Sequence, residues 1–189
     1  MRKLLPVIFI ALSFVSAHAA TYELKISPGD VFTISDNNEW NVSVTRLRVL
    51  DIAEVTITPK ENKSFMLILY FMRDTEDRGQ FDNPDKMKMA VMESSQKYVR
   101  DSAEKKVNLE KLDIKDSYGF KACFTDADLA KQKDIPVPSG QFMYLVRGMI
   151  RLSTDTALGF RLCTNDLNSA ETKTIEKYIL SFVKPLGRQ

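Results

Sequence analysis

FMYLVRGMIRLSTDTALGFRLC, residues 142–163, reads as two β-strands folded back on each other. Phe142–Leu152 and Leu158–Cys163 are rich in aliphatic and aromatic residues, and Thr154-Asp155-Thr156 between them supplies the turn. Strand alternation puts Phe142, Tyr144, Val146, Gly148, Ile150 and Leu152 on one side, and Met143, Leu145, Arg147, Met149 and Arg151 on the other. In the second strand Leu158, Phe160 and Leu162 oppose Arg161 and Cys163.

Further strand signals lie on either side of a helix. Upstream, Val31–Ile34 is short, Asp36-Asn37-Asn38-Glu39 forms a turn before Trp40, and Asn41–Arg48 alternates weakly. Glu54–Pro59 alternates clearly, with Val55 and Ile57 against Thr56 and Thr58. Phe65–Met72 is apolar throughout, as expected of a strand covered on both faces. The helix starts at Asn83 as cap, with Pro84 in the first turn and Asp85 complementing the dipole, and is expected to run to about Lys105. Its buried stripe is marked by Met87, Val91, Ser94, Tyr98 and Asp101. Phe120, Ala122 and Phe124 then alternate with Lys121, Cys123 and Thr125, and Pro136–Gly140 forms a stiff loop. A last helix begins near Ser169, shows Ile175, Tyr178, Ile179 and Phe182 at helical spacing, and stops before Pro185. Strand clusters with few crossover helices predict an α+β domain, a mostly antiparallel sheet with two main helices.

This order, with Trp40 after a hairpin turn and a closing helix of the Tyr178-Ile179-Leu180-Ser181-Phe182 type, resembles the PsbP-like superfamily over about residues 28–184. The resemblance implies an α-β-α sandwich and a non-enzymatic, partner-binding role. It rests on element order and carries over no functional residue.

The N-terminus reads as a secretory signal. Arg2 and Lys3 precede an apolar run, Leu4–Val15, and Ala17-His18-Ala19 is a small-x-small cleavage site. The run is short of the roughly 20 residues that span a bilayer, and Pro6 interrupts it. Residues 1–19 are therefore expected to be removed, leaving 20–189 as one α+β domain, periplasmic or secreted, with no transmembrane segment. Of the 27 basic residues, Arg2 and Lys3 leave with the signal, so 25 face 25 acidic ones. A neutral chain gives no bulk case for nucleic-acid binding.

His18 is the only histidine and departs with the signal. That removes a Ser-His-Asp triad, a Cys-His pair and His-ligated zinc. Cys123 and Cys163, an even pair in an exported chain, are expected to form a disulfide because alternation puts both in the same face class. Closing a loop of about 40 residues stabilises by roughly 4 kcal/mol in the chain-entropy model; two separate reduced thiols are the alternative. Met87, Met89 and Met92 could suggest a Cu(I) site, but at about 100° per residue Met87 points away from the other two, which favours core packing. Ser94-Ser95-Gln96-Lys97 fits S-x-x-K without companion motifs. The clusters at 74–77, 82–85 and 126–128 lack an EF-hand pattern, and Asp126 and Asp82-Asn83 suit turn or cap roles. No metal, cofactor or catalytic residue is expected.

If the strands near 120, 147 and 161 are neighbours, Lys121, Arg147, Arg151 and Arg161 share one face with both cysteines. Such a face binds an anion, an acidic partner or a lipid headgroup, or is an ordinary solvated face whose long basic chains cover apolar stems. Two function classes follow. One is a non-catalytic binding or accessory module for a protein, lipid or polysaccharide. The other is a His-free hydrolase using Ser94 or Ser95 with Lys97, or paired carboxylates.

Overall fold

In the computed structural model, residues 21–26, 31–35, 39–47, 52–76, 78–132 and 135–183 are described. The segment 1–19 expected to be a signal, most of the turn at 36–39, Arg48 and Pro185 lie outside them. The elements are β1 (Thr21–Lys25), β2 (Val31–Ser35), β3 (Trp40–Leu47), β4 (Ile52–Pro59), β5 (Phe65–Arg73), α1 (Pro84–Val99), β6 (Leu109–Lys111), β7 (Gly119–Thr125), β8 (Tyr144–Arg151), β9 (Thr156–Thr164) and α2 (Ala170–Ser181). A short 3-10 turn occupies Leu129–Lys131. β1 and β2 form a separate antiparallel hairpin. The other seven strands form one sheet in the order β3-β4-β5-β9-β8-β7-β6, every neighbour antiparallel.

The fold is α+β, as the strand and helix order predicts, and a helix covers each side of the sheet. On one side Phe65, Leu67, Leu69 and Phe71 of β5 pack with Leu158, Phe160 and Leu162 of β9, under Ile175 and Ile179 of α2. The hairpin joins this layer through Leu24, Phe32 and Ile34, with the Phe32 and Phe71 rings 4.9 Å apart. On the other side Met87 and Val91 of α1 pack on Met149 and Ala157. β5 is fully buried on the α2 side, whereas on the α1 side Ile68 is buried and Met66, Tyr70 and Met72 are half-buried, so the double cover expected of its apolar run is complete on one face only.

The helix starts follow the side chains. Asn83 Oδ1 accepts from the amides of Asp85 and Lys86 at 2.8 and 3.3 Å, and Ser169 Oγ accepts from Thr172 at 3.0 Å. α1 stops at Val99, six residues before the expected end. Beyond it Ser102 bridges to Asp126, Ala103 N–H donates to Thr125 at 2.8 Å, and Lys105 turns the chain at φ +55. The buried stripe is Met87, Val91 and Ser95, so Ser95 and not Ser94 faces inward.

Candidate functional site

The α1-covered side of the sheet carries the odd-numbered residues of β8 and β9, because Met149 and Ala157 lie beneath α1. Arg147 and Arg161 stand directly opposite each other there. Residues paired across neighbouring strands share a face, and like charges so placed repel. On this side β5 contributes Ile68, opposite Arg161, and Tyr70, opposite Gly159.

The two guanidinium groups are half-buried and flanked by tyrosines. The Arg147 group lies 5.2 Å over the Tyr70 ring. β8 and β5 are separated by β9, so this contact crosses a whole strand. Gly159, opposite Tyr70, keeps the strip between them low: a Cβ there would touch Tyr70 at 3.5 Å and crowd only the end of Met72, at 3.1 Å from Cε. Arg161 faces the hydroxyl of Tyr98, the last-turn residue of α1. Arg161 Nε is buried and has no hydrogen-bond partner among the described residues. Ser95, one turn before Tyr98, is fully buried and its Oγ is also without a partner.

The titration of these groups reports the same geometry. Burial pushes the Tyr98 phenol up, but the Arg161 guanidinium and the Lys97 ammonium more than reverse it, so it ionises below the ordinary phenol value. Tyr70 is raised by burial, with Glu54 adding to the effect and both arginines opposing it. Arg147 is lowered by burial against the pull of both tyrosines, and Arg161 adds to the lowering. It nevertheless stays charged at neutral pH. Neither guanidinium makes an ion pair among the described residues. Glu54, on the same face of β4, makes none either.

The other two expected cations do not join this pair. Arg151 is on the same face, but its Nε donates to Ser153 O at 3.2 Å and its guanidinium lies 5.5 Å over the Tyr118 ring. Lys121 is on the opposite face. It stands across from Gly148, whereas Arg147 stands across from Ala122. Lys121 Nζ donates to Glu176 of α2 at 3.4 Å and lies 3.8 Å from Glu110. It borders an apolar crevice of about 110 Å³ under α2 with Leu112, Val146 and Leu162. The expected single face of four cations is therefore corrected to a pair, Arg147 and Arg161, with Arg151 nearby and Lys121 behind the sheet.

The same register overturns the disulfide. Cys123 is opposite Val146 and Cys163 is opposite Leu145, so β8 lies between them and they point to opposite faces. Both are free, and burial raises both thiols above the ordinary value. The face assignment failed because Phe120, Ala122 and Phe124 point to the same side as Arg147, and not away from it.

The remaining motifs take structural places. Met87 is fully buried while Met89 and Met92 are 54% and 42% exposed, so the three methionines do not converge. Ser94 Oγ donates to Val91 O at 3.2 Å, and no hydrogen bond joins Ser94 or Ser95 to Lys97 among the described residues. Asp126 accepts from the amides of Asp128 and Leu129, both at 2.9 Å, in a turn role. No group of three His, Cys, Asp or Glu gathers among the described residues. No described helix is long and apolar enough to cross a membrane. No family model, curated protein or solved structure matches the chain.

Sequence reasoning named both arginines but missed Tyr70, Tyr98 and Gly159 as their setting. Tyr98 was legible only as a helix-stripe residue, and nothing in the local pattern around Tyr70 signals that it reaches across β9.

Proposed function

We propose that this chain is an exported, non-catalytic binding module that takes an anionic ligand on Arg147 and Arg161, acting in the periplasm or secreted space. One observation carries the reading: two guanidinium groups sit side by side, half out of water, with no carboxylate paired to either among the described residues. An uncompensated pair of this kind is unfavourable unless an anion joins it. Arginine also suits the task, because its planar fork binds carboxylate and phosphate oxygens with two parallel hydrogen bonds. The signal-like N-terminus supports export, and the PsbP-like element order agrees with a partner-binding role. The neutral balance of the chain after removal of residues 1–19 leaves attraction to anions to this local pair.

Thermal unfolding with inorganic phosphate tests the reading. Phosphate that binds the folded state raises the midpoint with concentration. Wild type is expected to show that rise, and Arg161→Gln to show none at equal ionic strength. An equal rise in both proteins would place the anion elsewhere and end the proposal.

A further inference from the structure

We infer that the anion held by Arg147 and Arg161 is a phosphate monoester with an aromatic arm, and that the arm lies in the cavity beside Tyr98; the inference rests on the binding reading above. That cavity, of about 220 Å³, lies at the C-terminal end of α1. Its apolar walls are Tyr98, Phe124, Phe142, Met143, Leu145 and Cys163. Neither arginine lines it, but it adjoins the pair along the sheet. Tyr98 lines it and also faces Arg161. Cys163 and Leu145 are the next residues on the same face after Arg161 and before Arg147, and they pair with each other. A substituent leaving the guanidinium groups toward α1's end is thus directed past Tyr98 to the cavity.

Size, shape and charge select the ligand class. A closed apolar cavity of about 150 Å³ accepts benzene; this cleft is open on one side and bordered also by Lys97, Ser102 and Thr125, and its volume has room for one aromatic ring with a small substituent. Ring faces suit ring contacts: the Tyr98 and Phe124 rings are already 5.8 Å apart and tilted by 45°. Two guanidinium charges match the near-dianionic head of a phosphate monoester, which offers three strong acceptor oxygens. Two buried donors on the α1 side of the sheet, Arg161 Nε and Ser95 Oγ, are without partners among the described residues. The carboxylates bordering the cavity are already engaged. Arg100 holds Asp101 at 3.0 and 3.2 Å, and two amides hold Asp126.

Isothermal titration calorimetry with phenyl phosphate and with inorganic phosphate tests this. Phenyl phosphate is expected to bind at least tenfold more tightly, and Arg161→Gln to abolish both. Met143→Trp fills the cavity and should bring phenyl phosphate down to the inorganic level while leaving inorganic phosphate unchanged. Should that variant fail to fold by circular dichroism, Leu145→Ala widens the cavity and should shift preference from phenyl to naphthyl phosphate. Equal wild-type affinity for the two probes overturns the aromatic arm and leaves the anion site standing. Binding of neither overturns both. Co-sedimentation with phosphatidic acid vesicles, without binding of phenyl phosphate, would assign the head to a membrane surface and overturn the small-ligand class.

Discussion

Arg147 and Arg161 leave water together, and their partners are tyrosine rings and hydroxyls in place of carboxylates. Replacing a buried charge by an apolar side chain of similar shape is often neutral or stabilising. Arg161→Met is therefore expected to leave stability unchanged or raise it by about 1 kcal/mol, read from the urea midpoint, while phosphate binding is lost. A loss of 2 kcal/mol or more would mark Arg161 as a structural strut. Gly159 belongs to the same account, since a side chain there would lie against Tyr70 and crowd the end of Met72. Glycine in a strand signals a close approach, but what approaches is set by a strand far away in sequence. Arginine chemistry was legible in the chain; the ring that meets it was not. Tyr178 shows the same limit: helical spacing marks it as inward-facing, yet its hydroxyl is buried without a partner and burial pushes it up to about 12.

Among the elements, α1 is read well at its start and poorly at its end. Asn83, Pro84 and Asp85 specify the start through local hydrogen bonds and dipole. The end is set by tertiary contacts, which a helical pattern does not encode. Glu104 supplies one of them. It accepts from Thr125 N–H at 2.9 and 3.1 Å and from Thr125 Oγ1 at 2.7 Å, tying the segment after α1 to the end of β7. Burial pushes the carboxyl up, but the Thr125 hydrogen bonds outweigh it and hold it below the ordinary glutamate value. A depressed folded-state pKa contributes stability that is present above the unfolded value and lost as pH falls through the folded one. Glu104→Gln should thus cost about 1 kcal/mol at pH 7, at the low end because solvent screens the group. The variant should also flatten the fall in urea midpoint between neutral pH and the acid range. An unchanged acid slope would remove Glu104 from that role. Register was the other illegible property of the elements. Both faces of β8 carry apolar residues, so alternation alone did not say which face of β7 joins which face of β8.

At the scale of the molecule, the layered α+β arrangement was legible because long apolar strands and two amphipathic helices admit few packings. The three-residue β6 and the hairpin partner β1 were not, since short strands carry little periodic signal. The structure holds its sheet without a covalent staple: Cys123 and Cys163 are free. Denaturing thiol labelling of the protein is expected to find two thiols per chain, and the thermal midpoint to be the same with and without a phosphine reductant. A single bonded pair would require β8 to leave its place between β7 and β9. The strand order has a kinetic consequence. β3-β4-β5 is one meander and β6-β7-β8-β9 another, each built from contacts between chain neighbours. Among the described strands they pair at β5 and β9, and there Phe65 joins Thr164, roughly a hundred residues away. Each half is able to assemble quickly on its own, whereas the seam must wait for a large loop to close. Folding is then limited by the zipping of that single seam, and until it forms, two hydrophobic strand edges stand open to neighbouring chains.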